Sequence, residues 1–466
     1  MFKSGVTRLW PTRLQSLVVG ILLIGWLLTA CDSGPTLAPN PAVTPGIAGI
    51  TLGATASYPP ILFVHGNGDS SALWITILWR FESNGYPAER LFTIDFPHPT
   101  ARDDNTKLQT NRSSTDEQRT QLATRVDEVL SLTGATKLIL VGNSRGGYSI
   151  RNFLKNRGGV SKVQAAILSG TPNHGVIKAP LNTDNEFNGD GPFLKGLNSG
   201  PNEVVAGVPF LTIRSDKNDK FAQPMSVENP LGVGYDGPAL NGATNVALDG
   251  VDHRETAYSP RAFQEIYKFI TGNSPASTDI KPETNSQLSG LITGYENEAA
   301  TNLPVSNVAV SIFEIDHKTG TRIGGAVYQV TTGADGAWGS FKAKPDAYYE
   351  FVVQAPGDWE RHFFRTPFPR SSKLVTMRLY NSKDDKPTPG KAVIIFTRPR
   401  GYFAGNRDKA LLDGKPIPGM KDGVPTIASL RVEFDGPERA VPATLHNEAM
   451  TVRAIPNAVV YAEFQQ

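Results

Sequence analysis

One serine stands at the centre of the run Val141-Gly142-Asn143-Ser144-Arg145-Gly146-Gly147. A serine hydroxyl is a weak nucleophile near neutral pH. It attacks a carbonyl only beside a base, with an acid to orient that base and donors to hold the oxyanion that forms. The spacing Gly142-x-Ser144-x-Gly146 falls between an apolar strand and a helix, the setting in which a sharp turn presents such a hydroxyl. Small residues must flank a turn this tight, and Gly142 and Gly146 meet that need. A serine that opens a helix also sits near partial positive charge, which favours a developing anion. The chemistry these residues point to is acyl transfer through Ser144.

The base must be a histidine, and the chain has seven. His253 ends the loop Asp249-Gly250-Val251-Asp252-His253, directly beyond an apolar run at 244–248. His98 and His174 lie in earlier loops, and His317, His362 and His446 fall in a region of different pattern. His65 follows an apolar strand in His65-Gly66-Asn67-Gly68, where a structural role is expected. The acid candidates are Asp219 and Asp216, in Ser215-Asp216-Lys217-Asn218-Asp219 after the run 209–214; Asp219 is preferred. Asp249 and Asp252 are further alternatives on the histidine loop itself. No spaced Cys/His cluster and no phosphate-binding loop is found, so no metal and no cofactor is expected.

The elements that must position these residues alternate. Apolar runs predict strands at 61–64, 91–94, 137–141, 163–168, 209–214 and 244–248. Helical spacing predicts helices at 70–84, 114–132, 147–156 and 260–270, the last closing at Gly272. Strands alternating with helices imply βαβ units and a mostly parallel sheet, an α/β fold. Residues 178–204, rich in Asn, Gly and Pro, lie between two strands where a lid or gating insertion is often found. From Gly290 the pattern turns to period two, with strands expected at 308–313, 326–330, 348–354, 373–379, 392–397, 427–434, 450–455 and 459–464. This C-terminal part is all-β, a barrel or sandwich, as one unit or as two small modules with a seam near 380–390.

The 466 residues exceed what one core normally serves. Lys3, Arg8 and Arg13 precede a short apolar run, Leu17 to Leu28, as in an export signal. Loss of residues 1–30 removes those three positive charges and no acidic residue, taking the net charge from +2 to −1. A nearly neutral protein argues against nucleic acid as a partner. The expected organisation is signal 1–30, a Pro/Gly/Thr-rich tether 31–57, a catalytic domain 58–273, a linker 274–287 and the β region 288–466. No obligate protein partner is implied.

Three segments carry a resemblance to known families. Phe63-Val64-His65-Gly66-Asn67-Gly68, the run around Ser144 and Gly170-Thr171-Pro172-Asn173-His174-Gly175 together resemble bacterial and archaeal lipases and esterases of the α/β-hydrolase fold. A hydrolase domain followed by a β domain is similar to a smaller lipase group in which the β domain is thought to help bind lipid. The resemblance implies the order Ser, Asp, His, hence Ser144, Asp219 and His253 as a triad, and a structural His174. It implies oxyanion donors at the main-chain N–H groups of Asn67 and Arg145. Leu28-Thr29-Ala30-Cys31 resembles a bacterial lipobox, which implies that Cys31 is lipidated and anchors an exported protein to a membrane of the cell envelope, on a periplasmic or cell-surface side. The expected substrate is a carboxylic ester or lipid. A polyester held by the β region is the other enzymatic expectation. A surface lipoprotein with a binding β region and an idle hydrolase domain is the non-enzymatic one.

Overall fold

The computed structural model describes residues 58–380 and 385–465. The segments expected to be an export signal and a tether, with Cys31, lie outside the described residues.

Six parallel strands form the first sheet: β1 Ile61–Val64, β2 Leu91–Ile94, β3 Leu138–Asn143, β4 Val163–Ser169, β5 Phe210–Ser215 and β6 Thr244–Leu248. Their spatial order is β2-β1-β3-β4-β5-β6. Parallel strands are joined by crossovers that put helices on both faces, so the central ones read as unbroken apolar runs. Ile61 and Phe63 of β1 accordingly pack on one side with Ile139, Val141 and Phe263. Leu62 and Val64 pack on the other with Leu122, Val126 and Phe153. The helices longer than four residues are α1 Ile75–Ser83, α2 Thr115–Thr133, α3 Arg145–Asn156, α4 Pro192–Leu197 and α5 Pro260–Thr271. α2 starts with a capping box: the Glu117 N–H donates to Ser114 Oγ and the Ser114 N–H to the Glu117 carboxylate. That reciprocal pair satisfies two of the amides the first turn leaves unbonded.

The β region follows the expected strands in the main, but it is built in open layers. A seven-stranded sheet runs Tyr328–Thr331, Ala309–Ile315, Tyr348–Gln354, Arg361–Arg365, Val459–Glu463, Ala392–Thr397, Ser429–Phe434. One face packs on the sheet around Ser286–Glu296 through Ile312, Phe351, Phe363, Ile395 and Trp338. The opposite face packs through Phe364, Ile394, Phe396 and Val460 on a four-stranded sheet that includes Arg439–Leu445 and Glu448–Ala454. Among the described residues no sheet closes on itself, so of the two expected forms, barrel or sandwich, the region takes stacked open sheets and not a barrel. Among the described residues, the outer strands of the middle sheet, Tyr328–Thr331 and Ser429–Phe434, have no strand partner on their far sides. The seam weighed near 380–390 is crossed by this sheet, because Val459–Glu463 pairs in parallel with both Arg361–Arg365 and Ala392–Thr397.

α1 joins the two regions. Ile77 and Phe81 face the hydrolase core, while Ile75 and Trp79 point the other way, into the β-region core. The Trp79 indole N–H donates to the Ser371 carbonyl at 2.8 Å, and Arg370 pairs with Glu82 at 2.9 Å. Trp79 is 2% exposed. Its truncation to alanine would cost about 3–5 kcal/mol.

Candidate active site

Ser144 occupies the sharp turn between β3 and α3, with φ 52° and ψ −122°. A non-glycine residue there is strained by on the order of 1–3 kcal/mol, and such strain persists only where the surroundings enforce it. Close packing enforces it here. A Cβ on Gly146 would stand 2.3 Å from the Val64 carbonyl oxygen, and one on Gly142 would meet the Gly146 carbonyl carbon at 2.9 Å. α3 is therefore drawn against the ends of β1 and β3 with nothing between. The Ser144 N–H is held by the Ser169 carbonyl at 2.9 Å.

The turn His65-Gly66-Asn67-Gly68, where the oxyanion donor Asn67 is expected, abuts this elbow. A Cβ on Gly66 would lie 3.0 Å from Ser144 Cβ, and the Asn67 side chain is turned away to accept from the Ala101 N–H at 2.7 Å. No protein acceptor takes the Asn67 N–H among the described residues. Arg145 opens α3, where a first-turn amide has no intrahelical acceptor. Its side chain is locked elsewhere: the guanidinium forks onto buried Glu186 at 2.5 and 2.7 Å and donates to Ser113. Residues 178–204 are thereby anchored, with Glu186 and Asn188 fully buried and Leu194 and Leu197 packed on Tyr148.

His253 and Asp219 meet in the interior. His253 Nδ1 stands 2.8 Å from Asp219 Oδ2, and both residues are nearly fully buried. The second oxygen of Asp219 accepts the Phe221 N–H at 2.8 Å, and the Phe221 ring lies edge-on to the imidazole at 4.6 Å. With Nδ1 engaged, Nε2 is the nitrogen left to exchange protons. Asp216 instead caps its own loop, accepting from Ser215 Oγ and the Gly250 N–H. Ser144, His253, Gly66 and Asn67 line one cavity of about 280 Å³ whose other walls are mainly apolar: Val176, Ile177, Phe187 and Tyr402.

His65 and His174 are each held by hydrogen bonds away from Asp219. The Phe96 N–H donates to His65 Nε2 at 3.2 Å, so Nδ1 carries the hydrogen and donates to the Gly66 carbonyl at 2.9 Å. Burial lowers the His65 pKa and keeps that ring neutral. His174 is held between the Gly237 carbonyl and Glu203.

Sequence reasoning did not anticipate how far the β region builds this site. Asn302 donates to the Asp69 and Phe96 carbonyls, and Arg378 bonds both Asn302 Oδ1 at 2.6 Å and the Gly68 carbonyl. Those contacts brace the turn that follows β1. Asp252, weighed as a possible triad acid, is fully buried and faces away from the imidazole onto Arg398, Arg407 and the Tyr402 N–H. Glu255 also pairs with Arg398 and Arg407. Burial raises the Asp252 pKa and the neighbouring Glu255 adds to it, while the two guanidinium groups oppose the rise. Lys220, next to Asp219, rests 3.9 Å from the centre of the Tyr402 ring, and burial lowers its pKa to about 8. The one hint in the sequence was compositional, the cluster Arg398, Arg400, Arg407 and Asp408 within eleven residues.

Residues 59–198 match the alpha/beta hydrolase fold family, and residues 285–382 match the Lipase C-terminal domain family. Among solved structures, the chain resembles Bacillus licheniformis lipase BlEst2 in its propeptide form, at 16% identity over 90% of this chain and 95% of that one, TM-score 0.36. The mature form of that lipase matches at 22% identity over 51% of this chain and 96% of that one, TM-score 0.36. Aspergillus fumigatus lipase B matches at 17% identity, TM-score 0.34, over 48% of this chain and about half, 55%, of that one. With its parallel sheet and these two domain matches, the chain carries a domain of the α/β-hydrolase fold followed by a region that matches a lipase C-terminal domain.

Proposed function

We propose that the protein is a carboxylic-ester hydrolase that works through an acyl-enzyme on Ser144. The observation that carries this reading is the 2.8 Å contact of His253 with Asp219 on the wall of the cavity that also exposes the strained Ser144. His253 Nε2 takes the Ser144 proton as the hydroxyl oxygen bonds to the ester carbonyl carbon. The oxyanion is held by the Asn67 and Arg145 main-chain N–H groups. Collapse breaks the bond to the alcohol, which leaves with the proton from His253. Water, deprotonated by the same imidazole, then releases the acid. Asp219 orients His253 throughout and stabilises its cation.

The apolar walls favour an acyl or alkyl group over a polar one. The export signal and the lipobox-like Leu28-Thr29-Ala30-Cys31 support an exported enzyme, lipid-anchored at Cys31. Labelling with a fluorophosphonate, followed by peptide mapping, tests the nucleophile. The expected adduct is on Ser144 and absent from Ser144→Ala, and an active enzyme that never labels there defeats the reading. Radiolabelled palmitate incorporated by wild type but not by Cys31→Ala tests the anchor.

A further inference from the structure

A second, larger cavity of about 670 Å³ lies between the hydrolase domain and the β region. It adjoins the catalytic cavity, since Asp69 and Arg254, an ion pair at 3.4 Å, line both. Its walls carry five arginines, Arg254, Arg365, Arg378, Arg400 and Arg431, against three carboxylates, Asp69, Asp385 and Glu463, a net of two positive charges. Arg254 pairs with Asp69, Arg365 with Glu463 and Arg431 with Glu433.

Arg378 and Arg400 are different. Among the described residues Arg378 donates only to the Gly68 carbonyl and Asn302 Oδ1. Arg400 is 4% exposed and, among the described residues, donates only to the Phe464 carbonyl and to the carbonyl and side-chain oxygens of Gln465. No carboxylate of the described residues forms an ion pair with either. A buried guanidinium with neutral acceptors alone is costly unless an anion completes its shell. Part of the remaining lining is an apolar wall that includes Leu73, Phe363, Phe368, Met377, Ile395 and Tyr461.

We propose that this interdomain cavity is a binding site for an acyl-chain carboxylate, with Arg400 and Arg378 facing the head and the apolar wall taking the chain. Guanidinium recognises a carboxylate through two parallel hydrogen bonds, and the volume is that of an ordinary small-molecule site. In combination with the ester hydrolysis proposed above, on which its assignment to product rests, the site holds the acid released at Ser144.

The test uses the full-length Ser144→Ala protein, which cannot turn over ester, and displacement of a fluorescent fatty acid. Palmitate is expected to displace the probe, while hexadecanol, with the same chain and no charge, is at least about tenfold weaker. Arg400→Gln should weaken palmitate by a similar factor and Arg400→Lys by less, with melting temperatures checking that both variants fold. Equal displacement by palmitate and hexadecanol, or a folded Arg400→Gln that binds palmitate as tightly as its parent, overturns the site. A lysophospholipid that outcompetes palmitate assigns the cavity to a lipid headgroup instead and also overturns it. Fluorophosphonate labelling of wild type is read separately. Labelling without charge-dependent palmitate binding rejects this site alone. Binding without labelling keeps the site and rejects the hydrolytic source of the acid.

Discussion

The Tyr402 N–H donates to Asp252 Oδ2 at 2.6 Å, so the residue that immediately precedes His253 is held by the C-terminal β region. Arg398 and Arg407 reach the same carboxylate and also Glu255. Buried charges arranged in this way are sustained by one another, and removal of one partner leaves the others uncompensated. Arg398→Gln is expected to destabilise the protein by about 3–5 kcal/mol, seen in urea melts. It should also lower kcat in the fraction that stays folded, because the histidine loop loses its brace. A variant that melts like wild type with full activity would show the network to be dispensable.

The two aspartates after β5 separate cleanly by geometry. Asp219 faces His253 Nδ1, while Asp216 faces Ser215 and Gly250. Asp219→Asn keeps the shape but favours the wrong imidazole tautomer, and kcat on a p-nitrophenyl ester is expected to fall about 10²–10⁴-fold. Asp216→Asn should leave kcat within a few-fold. The reverse ranking would move the orienting role to Asp216.

Much of this site could be read along the chain because each hydrolase motif is local. The serine turn, the oxyanion loop and the histidine loop each occupy a few consecutive residues at a strand end, and the parallel sheet brings strand ends together. What was illegible is what depends on pairing across hundreds of residues. Trp79 reads as one more apolar residue of α1 until the β region supplies its second core. Arg361–Arg365, with arginines at both ends, lacks the alternation of a half-exposed strand, yet all five residues are buried because both faces of its sheet are covered. Pro442 argues against the strand that contains it, although Arg439–Leu445 pairs in full with Glu448–Ala454. Tyr402 carries no motif at all. Its place in the catalytic cavity follows only from the Arg398 and Asp252 network.

Gly146→Ala tests the close packing at the elbow. Its added methyl would stand 2.3 Å from the Val64 carbonyl oxygen, a backbone atom that cannot swing aside. α3 must then move off β1, carrying the Arg145 N–H away from its position beside Ser144. About 1–3 kcal/mol of stability should be lost, and fluorophosphonate labelling should slow at least tenfold in the folded protein. Unchanged labelling would mean that the elbow tolerates the shift.

Lys220 gives the stability a pH signature. Burial lowers its folded pKa to about 8, against 10.5 for the exposed side chain. Below pH 8 both states are protonated and the folded state bears the full cost of the buried charge. Between 8 and 10.5 the unfolded chain binds more protons, so this residue's contribution makes stability rise with pH. The melting temperature of wild type minus that of Lys220→Met should therefore increase from pH 7 to pH 10. A flat difference would mean that Lys220 keeps an ordinary pKa.

Tyr402 should set substrate preference without taking part in bond making. Tyr402 lines the Ser144 cavity together with Val176 and Phe187, and its ring lies against Lys220. Truncation removes apolar wall that an acyl chain would otherwise cover, at about 25 cal/mol per Å² of lost contact. Tyr402→Ala should raise KM for medium-chain p-nitrophenyl esters by roughly tenfold or more, with a smaller change for acetate, whose chain does not reach the wall. Tyr402→Phe keeps the ring and the main-chain bond to Asp252, and its chain-length profile should follow wild type. If Tyr402→Ala instead lowered kcat equally for every chain length, the residue would be acting through the His253 loop rather than as a wall of the cavity.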